Sequence, residues 1–278
     1  MISNRDAKTN IRVKLWGVRG SLPTPGPQTK RFGGNTSCIE IGCGNQLFIF
    51  DAGSGMRELG IALMQSPPVR ARIFLTHYHC DHIFGFPFFL PAYVAGNELD
   101  IYGERKQSLS PRRILQGYMS FPYSCYSLAA MQAKLKFHTI QPGQRLKFGE
   151  AMVCTHRLNH PFDALGYRIE YRGSSIAYIS DYEHFSYRDE PLIEFVHGVD
   201  AMIYDSPFSE AEYATKQGWG HSTWEEGVKL AAAADVKLLI ISHHEPTHDD
   251  KHMVAVERRA RQLYKQVWVA REKSERWF

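Results

Sequence analysis

Four side chains able to bind a metal fall within six residues in His77-Tyr-His79-Cys-Asp81-His82. Imidazole nitrogens and carboxylate oxygens suit zinc, and also manganese or iron(II), where thiolates would select softer ions. A tight turn through this segment aims His77 and His79 at one cation and turns Asp81 and His82 toward a second. Three further candidates stand just past expected strands: His160 in Leu158-Asn-His-Pro161, Asp181 in Ser180-Asp-Tyr182, and His243 in Ser242-His-His-Glu-Pro246. Together these residues supply enough ligands for two divalent ions that share a carboxylate. Asp51 closes another expected strand, where its carboxylate would hold a ligand histidine by the ring nitrogen that faces away from the metal.

The elements that must carry these residues are short and regularly punctuated. Strands are expected at Ile11–Trp16, Ser37–Ile41, Gln46–Phe50, Arg72–Thr76 and Glu98–Tyr102, with a helix at Met56–Met64 closed by Pro67-Pro68. Residues 104–133 read as a helical or irregular insertion with an aromatic middle, Tyr118 to Tyr126, expected to pack as core or lid. Strands return at Leu135–Ile140, Arg145–Phe148, Val153–Arg157, Gly166–Tyr171 and Ser175–Ile179. Strand–helix alternation follows: a helix near Pro191–His197, strand Ala201–Tyr204, helix Thr223–Ala234, strand Lys237–Ile241, a helix after Asp249, and strand Val267–Ala270. Two strand blocks, each ending in alternation, predict an α/β sandwich of two mixed sheets with outer helices in a single domain over 1–278.

Composition bounds the function. The chain has 278 residues, 44% hydrophobic and 22% charged, with a formal net charge of +4. Those values describe an ordinary globular protein, neither disordered nor carrying the concentrated basic face of a dedicated nucleic-acid binder. The five cysteines are odd in number and form no C-x-x-C pair, which argues against a disulfide framework and an all-cysteine zinc site. The first ten residues are polar, and Ile83–Val94 is shorter than the roughly 20 apolar residues of a membrane span. A cytoplasmic protein with no membrane partner is expected.

The H-x-H-x-D-H at 77–82, with His160, Asp181, His243 and Asp51, resembles the metallo-β-lactamase superfamily. The resemblance implies the αββα sandwich of that family, with the site at its rim. It implies that His77, His79 and His160 hold one metal, that Asp81, His82 and His243 hold the other, and that Asp181 bridges them. Two divalent ions follow, Zn2+ first, with Mn2+ or Fe2+ left open. Asp81-His-Ile-Phe-Gly-Phe-Pro87 and Gly220-His-Ser-Thr223 are similar to the ribonuclease Z and cyclic-nucleotide phosphodiesterase branch. In that branch a histidine in the place of His221 lies near the leaving group, oriented by an acid. Asp205, in Tyr204-Asp-Ser-Pro-Phe208, stands where ribonuclease Z tends to carry glutamate. Ser222 is read as the helix N-cap, with Glu225 as its capping-box partner.

The implied reaction is phosphodiester hydrolysis by a hydroxide bridging the metals, with His221, Asp205 and Asp81 among the catalytic groups. Only 21 positions separate His160 from Asp181, too few for the long tRNA-gripping arm of ribonuclease Z. The expected partner is therefore a small, cyclic nucleotide-like phosphodiester rather than structured RNA, with a homodimer allowed. A ribonuclease Z-like RNA endonuclease, a lactone or thioester hydrolase, and a non-catalytic metal-binding protein are the alternatives. Leu15-Trp-Gly-Val-Arg-Gly-Ser21 and Arg31-Phe-Gly-Gly-Asn-Thr-Ser-Cys38 resemble a bacterial group of hydrolases in the superfamily. There Asn35 and Arg19 are candidate phosphate contacts. His244 and His248 are placed near the rim.

Overall fold

The computed structural model describes residues 10–278. The first sheet draws on β1 (Ile11–Gly17), β2 (Cys38–Cys43), β3 (Gln46–Phe50), β4 (Arg70–Phe74), β5 (Glu98–Glu104), β6 (Lys134–Ile140) and β14 (Glu275–Trp277). Its order is β14-β1-β2-β3-β4-β5-β6, antiparallel up to β3 and parallel from β3 to β6. The second sheet holds β7 (Arg145–Phe148), β8 (Ala151–Leu158), β9 (Ala164–Tyr171), β10 (Ser174–Ile179), β11 (Ala201–Asp205), β12 (Leu239–Ser242) and β13 (Val267–Val269). Its order, β13-β12-β11-β10-β9-β8-β7, mirrors the first, with antiparallel hairpins on one side and parallel strands on the other.

Apolar residues on alternate positions of both sheets meet in one layer, including Val13, Leu15, Phe50 and Phe74 against Tyr167, Ile169, Ile203 and Ile240. Phe74 stacks on Tyr102 with ring centroids 4.5 Å apart and meets Tyr167 edge-on at 5.5 Å. Such pairs add about 0.5–1.5 kcal/mol each beyond the burial of their area. Helices α1 (Met56–Leu63), α2 (Cys80–Ile83) and α3 (Pro111–Tyr118) accompany the first sheet, where Met56, Leu59 and Leu115 pack on Ile49, Ile73 and Ile101. Helices α4 (Glu190–Val196), α5 (Glu210–Tyr213), α6 (Trp224–Ala233) and α7 (Asp250–Leu263) follow in the second half. Leu192, Ala231 and Met253 from α4, α6 and α7 cover Ile179, Met202 and Ile241. The layers are αββα, as expected.

Several details differ. Strand β14 is absent from the sequence reading, because three exposed residues among charged ones carry no period-two signal. It pairs with β1 and forms the edge of the first sheet. The 104–133 insertion resolves into α3 and a short turn at Leu128–Ala130. Within it Met119 is buried while Phe121 and Tyr123 are exposed, so core packing holds for only part of the aromatic stretch. The N-cap of α6 is Thr223, whose hydroxyl accepts from Glu226 N, and not Ser222. Ser222 is buried instead between Tyr204, which donates to its hydroxyl at 2.8 Å, and the His184 ring at 2.9 Å. All five cysteines are free thiols. No described helix is long and apolar enough to cross a membrane.

Candidate metal centre and active site

Parallel strands deliver most of the site, and the antiparallel β8 brings His160. β3, β4, β10, β11 and β12 each end at one rim of the sandwich, followed by Asp51, the 77–82 loop, Asp181, the Asp205 segment and His243. Asp51, Asp181 and His243 all take left-handed backbone, with φ of 60°, 58° and 59°. That conformation is costly for a residue with a Cβ, and it turns the chain sharply at the strand's end.

Two ligand sets result. His77, His79, His160 and Asp181 bring their donor atoms together, and so do Asp81, His82 and His243. Asp181 faces both: its Oδ2 lies 3.5 Å from His77 Nε2 and 3.7 Å from His160 Nε2. Its Oδ1 lies 3.0 Å from His82 Nε2 and 3.2 Å from His243 Nε2. Asp81 Oδ2 sits 3.2 Å from His82 Nε2 and 3.4 Å from His243 Nε2, and accepts from Ser21 N. Gly20 packs directly under His243, where a Cβ would lie 2.3 Å from the ring.

The outward ring nitrogens are held by hydrogen bonds. His82 Nδ1 donates to Asp51 Oδ2 at 2.8 Å, and Asp51 also accepts from Thr76 N and from the Tyr178 hydroxyl. His160 Nδ1 donates to Gly220 O at 2.8 Å. Each bond fixes the tautomer and leaves the opposite nitrogen with its lone pair.

These residues fit a pair of divalent cations. The buried Nε2 atoms of His77, His82 and His243 have no hydrogen-bond partner among the described residues. His160 Nε2 and His79 Nδ1 face each other at 3.1 Å. An unpaired buried polar atom is expensive, and so many converging on two points call for a ligand there. Electrostatics distinguish the two sets. Burial, then neighbouring imidazoles, push His77 and His79 below the ordinary histidine range, and burial does the same to His160. Burial opposes ionisation of Asp81 and Asp181, but the surrounding His82 and His243 rings outweigh it and hold both carboxylates low. Anionic carboxylates and neutral imidazoles are the metal-binding forms. Burial disfavours the charged forms of His82 and His243 too, but Asp181 and the other carboxylates around them win and raise both above the ordinary histidine range. These two rings would release a proton on binding an ion.

Beside the second set, His221 Nδ1 donates to Asp205 Oδ2 at 3.0 Å, and the ring stacks on His243 at 4.9 Å. Asp205 also accepts from Tyr182 N at 2.9 Å, so it is fixed from the backbone. Burial disfavours a charged His221, but the Asp205 carboxylate wins and raises its pKa above the ordinary value. The His221 side chain is 13% exposed, the Asp205 side chain not at all.

Two expectations fail. Arg19 is fully buried, with Nε donating to Gly33 O and Nη1 to Glu245 O and His248 O. Asn35 Nδ2 donates to Glu272 Oε1, while its Oδ1 accepts from Ser54. Both side chains tie loops together. Although Arg19 Nη2 has no partner among the described residues, the whole Arg19 side chain is buried away from the cleft's surface, so neither residue presents a donor to a phosphate. Nor does His244 line the rim: it is buried, donates Nε2–H to Ala270 O, and is pushed down to about 3 by burial. His248 is buried as well, against Glu212.

The sequence reading missed Glu183. Its Oε1 accepts from Gly218 N and the Tyr213 hydroxyl, and its Oε2 from Gly220 N at 2.8 Å. One acid thus pins the turn that presents His221. A lone glutamate two residues past Asp181 carries no pattern that would have exposed it.

The β-lactamase superfamily domain model matches residues 47–244, and the chain belongs to this family. It is a metal-dependent hydrolase of the ribonuclease Z-like branch. The ribonuclease BN of Cronobacter sakazakii is 26% identical over 249 residues, 71% of this chain and 78% of that protein. The metallo-β-lactamase fold protein YhfI from Bacillus subtilis aligns with TM-score 0.73 and 20% identity, covering 98% of this chain and 100% of that one. A diphosphatase from the PhnP family aligns equally well, TM-score 0.73 at 18% identity, over 96% and 98%. These two structures share the fold.

Proposed function

We propose that the protein is a two-metal phosphodiesterase acting on a small phosphodiester. The observation that carries this reading is the Asp205–His221 pair placed beside a carboxylate, Asp181, whose two oxygens face two separate histidine sets. His77, His79 and His160 would hold one divalent ion, Asp81, His82 and His243 the other, and Asp181 both. Such a pair of ions supplies a water of lowered pKa and charge neutralisation for the phosphoryl oxygens.

The chain's own residues do the rest. Asp205 keeps His221 Nδ1 protonated, which leaves Nε2 as the nitrogen that exchanges a proton with the substrate. As the water oxygen joins phosphorus and the opposite P–O bond breaks, imidazolium Nε2–H protonates the departing alkoxide. The products are a phosphomonoester and an alcohol. The raised pKa of His221 suits an acid that must be loaded near neutrality.

Between His160 and Asp181 lie only β9, β10 and their turns, which supports a small substrate over structured RNA. The likeness to a ribonuclease BN supports RNA cleavage as a second reading. A panel separates them: bis-p-nitrophenyl phosphate, cyclic nucleotides, precursor tRNA and lactones, with metal content measured. Turnover of the small diesters with intact precursor tRNA is expected. Precursor tRNA cleavage alone would replace the proposal with the nuclease, and lactone turnover alone would sink both.

A further inference from the structure

The wall beside His221 carries features that hydrolysis of a simple diester does not use. Lys216 lies with its Nζ 4.1 Å from the centroid of the Trp219 ring and 5.6 Å from that of Phe208. Phe208 in turn meets the His221 ring edge-on at 6.2 Å. Lys216 forms no ion pair among the described residues, whereas Lys229, further along the chain on α6, is held by both Glu210 and Glu226. An ammonium group resting on aromatic faces without a carboxylate is a cation kept available for an outside anion.

The turn that presents it is pre-organised. Glu183 binds the N–H groups of Gly218 and Gly220, which sit at φ 82° and 86°. Trp219, held between them, is 58% exposed. Across the seam, Gly220 packs so closely on Pro161 that a Cβ would lie 2.4 Å from its ring. The next residue, Phe162, is 83% exposed yet held at φ 64°, and Lys106 Nζ donates to the carbonyls of Phe162 and Asp163. A large aromatic side chain fixed outward on strained backbone beside a metal ligand is a feature of function rather than of packing.

We propose that Lys216, Trp219 and Phe162 form a subsite for the leaving group, and that this group is a nucleotide with a phosphate of its own. The aromatic rings offer stacking faces to a base, and the unpaired ammonium pairs with the second phosphate. A cyclic mononucleotide has one phosphate, which the metal centre would occupy, so Lys216 would go unused. The favoured substrate is therefore a diester joining two nucleotides. This rests on the phosphodiesterase reading above.

The test compares the dinucleotide ApA with its forms bearing an added 5′- or 3′-terminal phosphate, on metal-loaded enzyme. One added phosphate is expected to raise kcat/KM about tenfold, a single charge-assisted contact. Lys216→Met, which keeps the stem and removes the charge, is expected to erase that preference. Loss of preference must come with unchanged metal content. Titration of intrinsic tryptophan fluorescence with adenosine 3′,5′-bisphosphate and AMP gives a readout independent of turnover. The bisphosphate, with one phosphate for the metal centre and one for Lys216, should bind about tenfold tighter than AMP, and K216M should bind both alike. Indifference of the wild type to either terminal phosphate, or full preference retained in K216M, overturns the subsite. If no dinucleotide is cleaved but the preference for the bisphosphate over AMP still depends on Lys216, the phosphodiesterase reading fails and the subsite stands.

Discussion

His221 Nδ1 is held by Asp205, a buried carboxylate that otherwise takes Tyr182 N and lies 3.3 Å from His243 Nδ1, and the ring keeps some exposure that the ligands His243 and His82 lack. That pairing predicts His221→Ala to lower kcat on diesters by about 10²–10⁴-fold. Metal content per chain should stay unchanged. Loss of one ion would instead make His221 a ligand, since its ring also lies within reach of Asp181 and His243. Asp51 works differently, through the far side of His82. Asp51→Ala leaves Thr76 N and the Tyr178 hydroxyl unpaired in the core and frees the His82 ring. It is expected to weaken metal binding about 10- to 100-fold, measured by competition with a graded chelator. The seven ligand candidates were legible because H-x-H-x-D-H is dense and the others stand where strands end. Arg19 and Asn35 were misread because a sequence does not show which donors the loops will consume. Glu183 and Lys216 were invisible for the converse reason: each acts through neighbours brought close only by the fold.

Elements matter to the site through their ends. Apart from β8, which is antiparallel to both neighbours and brings His160, the strands that deliver ligands are each parallel to a neighbour, so their ends meet at one rim. The turn before α6 is tightly constrained. Gly220 has φ 86°, and a Cβ there would lie 2.3 Å from His160 Nδ1. Gly220→Ala should therefore displace both His160 and His221. The expected result is loss of the first ion and at least a tenfold fall in kcat, read by metal analysis and steady-state kinetics on the same preparation. Retention of two ions with full activity would show that the turn relaxes freely. Most strands were readable because their apolar runs are long and bounded by turn residues. β14, α2 and α5 were not, since each spans three or four residues and owes its form to its partners. The shift of the α6 cap from Ser222 to Thr223 has the same origin, because Tyr204 claims the serine hydroxyl.

At the scale of the molecule, the apolar layers and the metal site are separate structures that share strands. The inter-sheet core runs through Phe50, Phe74, Tyr167 and Tyr178, and the Tyr178 hydroxyl reaches Asp51 from below. The core was predictable from alternating hydrophobics in two blocks, and it does not depend on any ion. The rim does, because it gathers buried Asp81, Asp181 and Asp205 with imidazoles whose inward nitrogens lack partners. Stripping divalent ions should consequently lower Tm while leaving the far-UV circular dichroism spectrum native at 25 °C. Mass action sets the scale: a site saturated a hundredfold above its Kd contributes about 2.7 kcal/mol. Reloading with Zn2+ or Mn2+ should restore both Tm and diester turnover, and whichever ion restores more turnover identifies the better cofactor. A chelated protein that melts at the same temperature as the loaded one would mean that the rim holds no ion tightly, and the two-metal mechanism would fall with it.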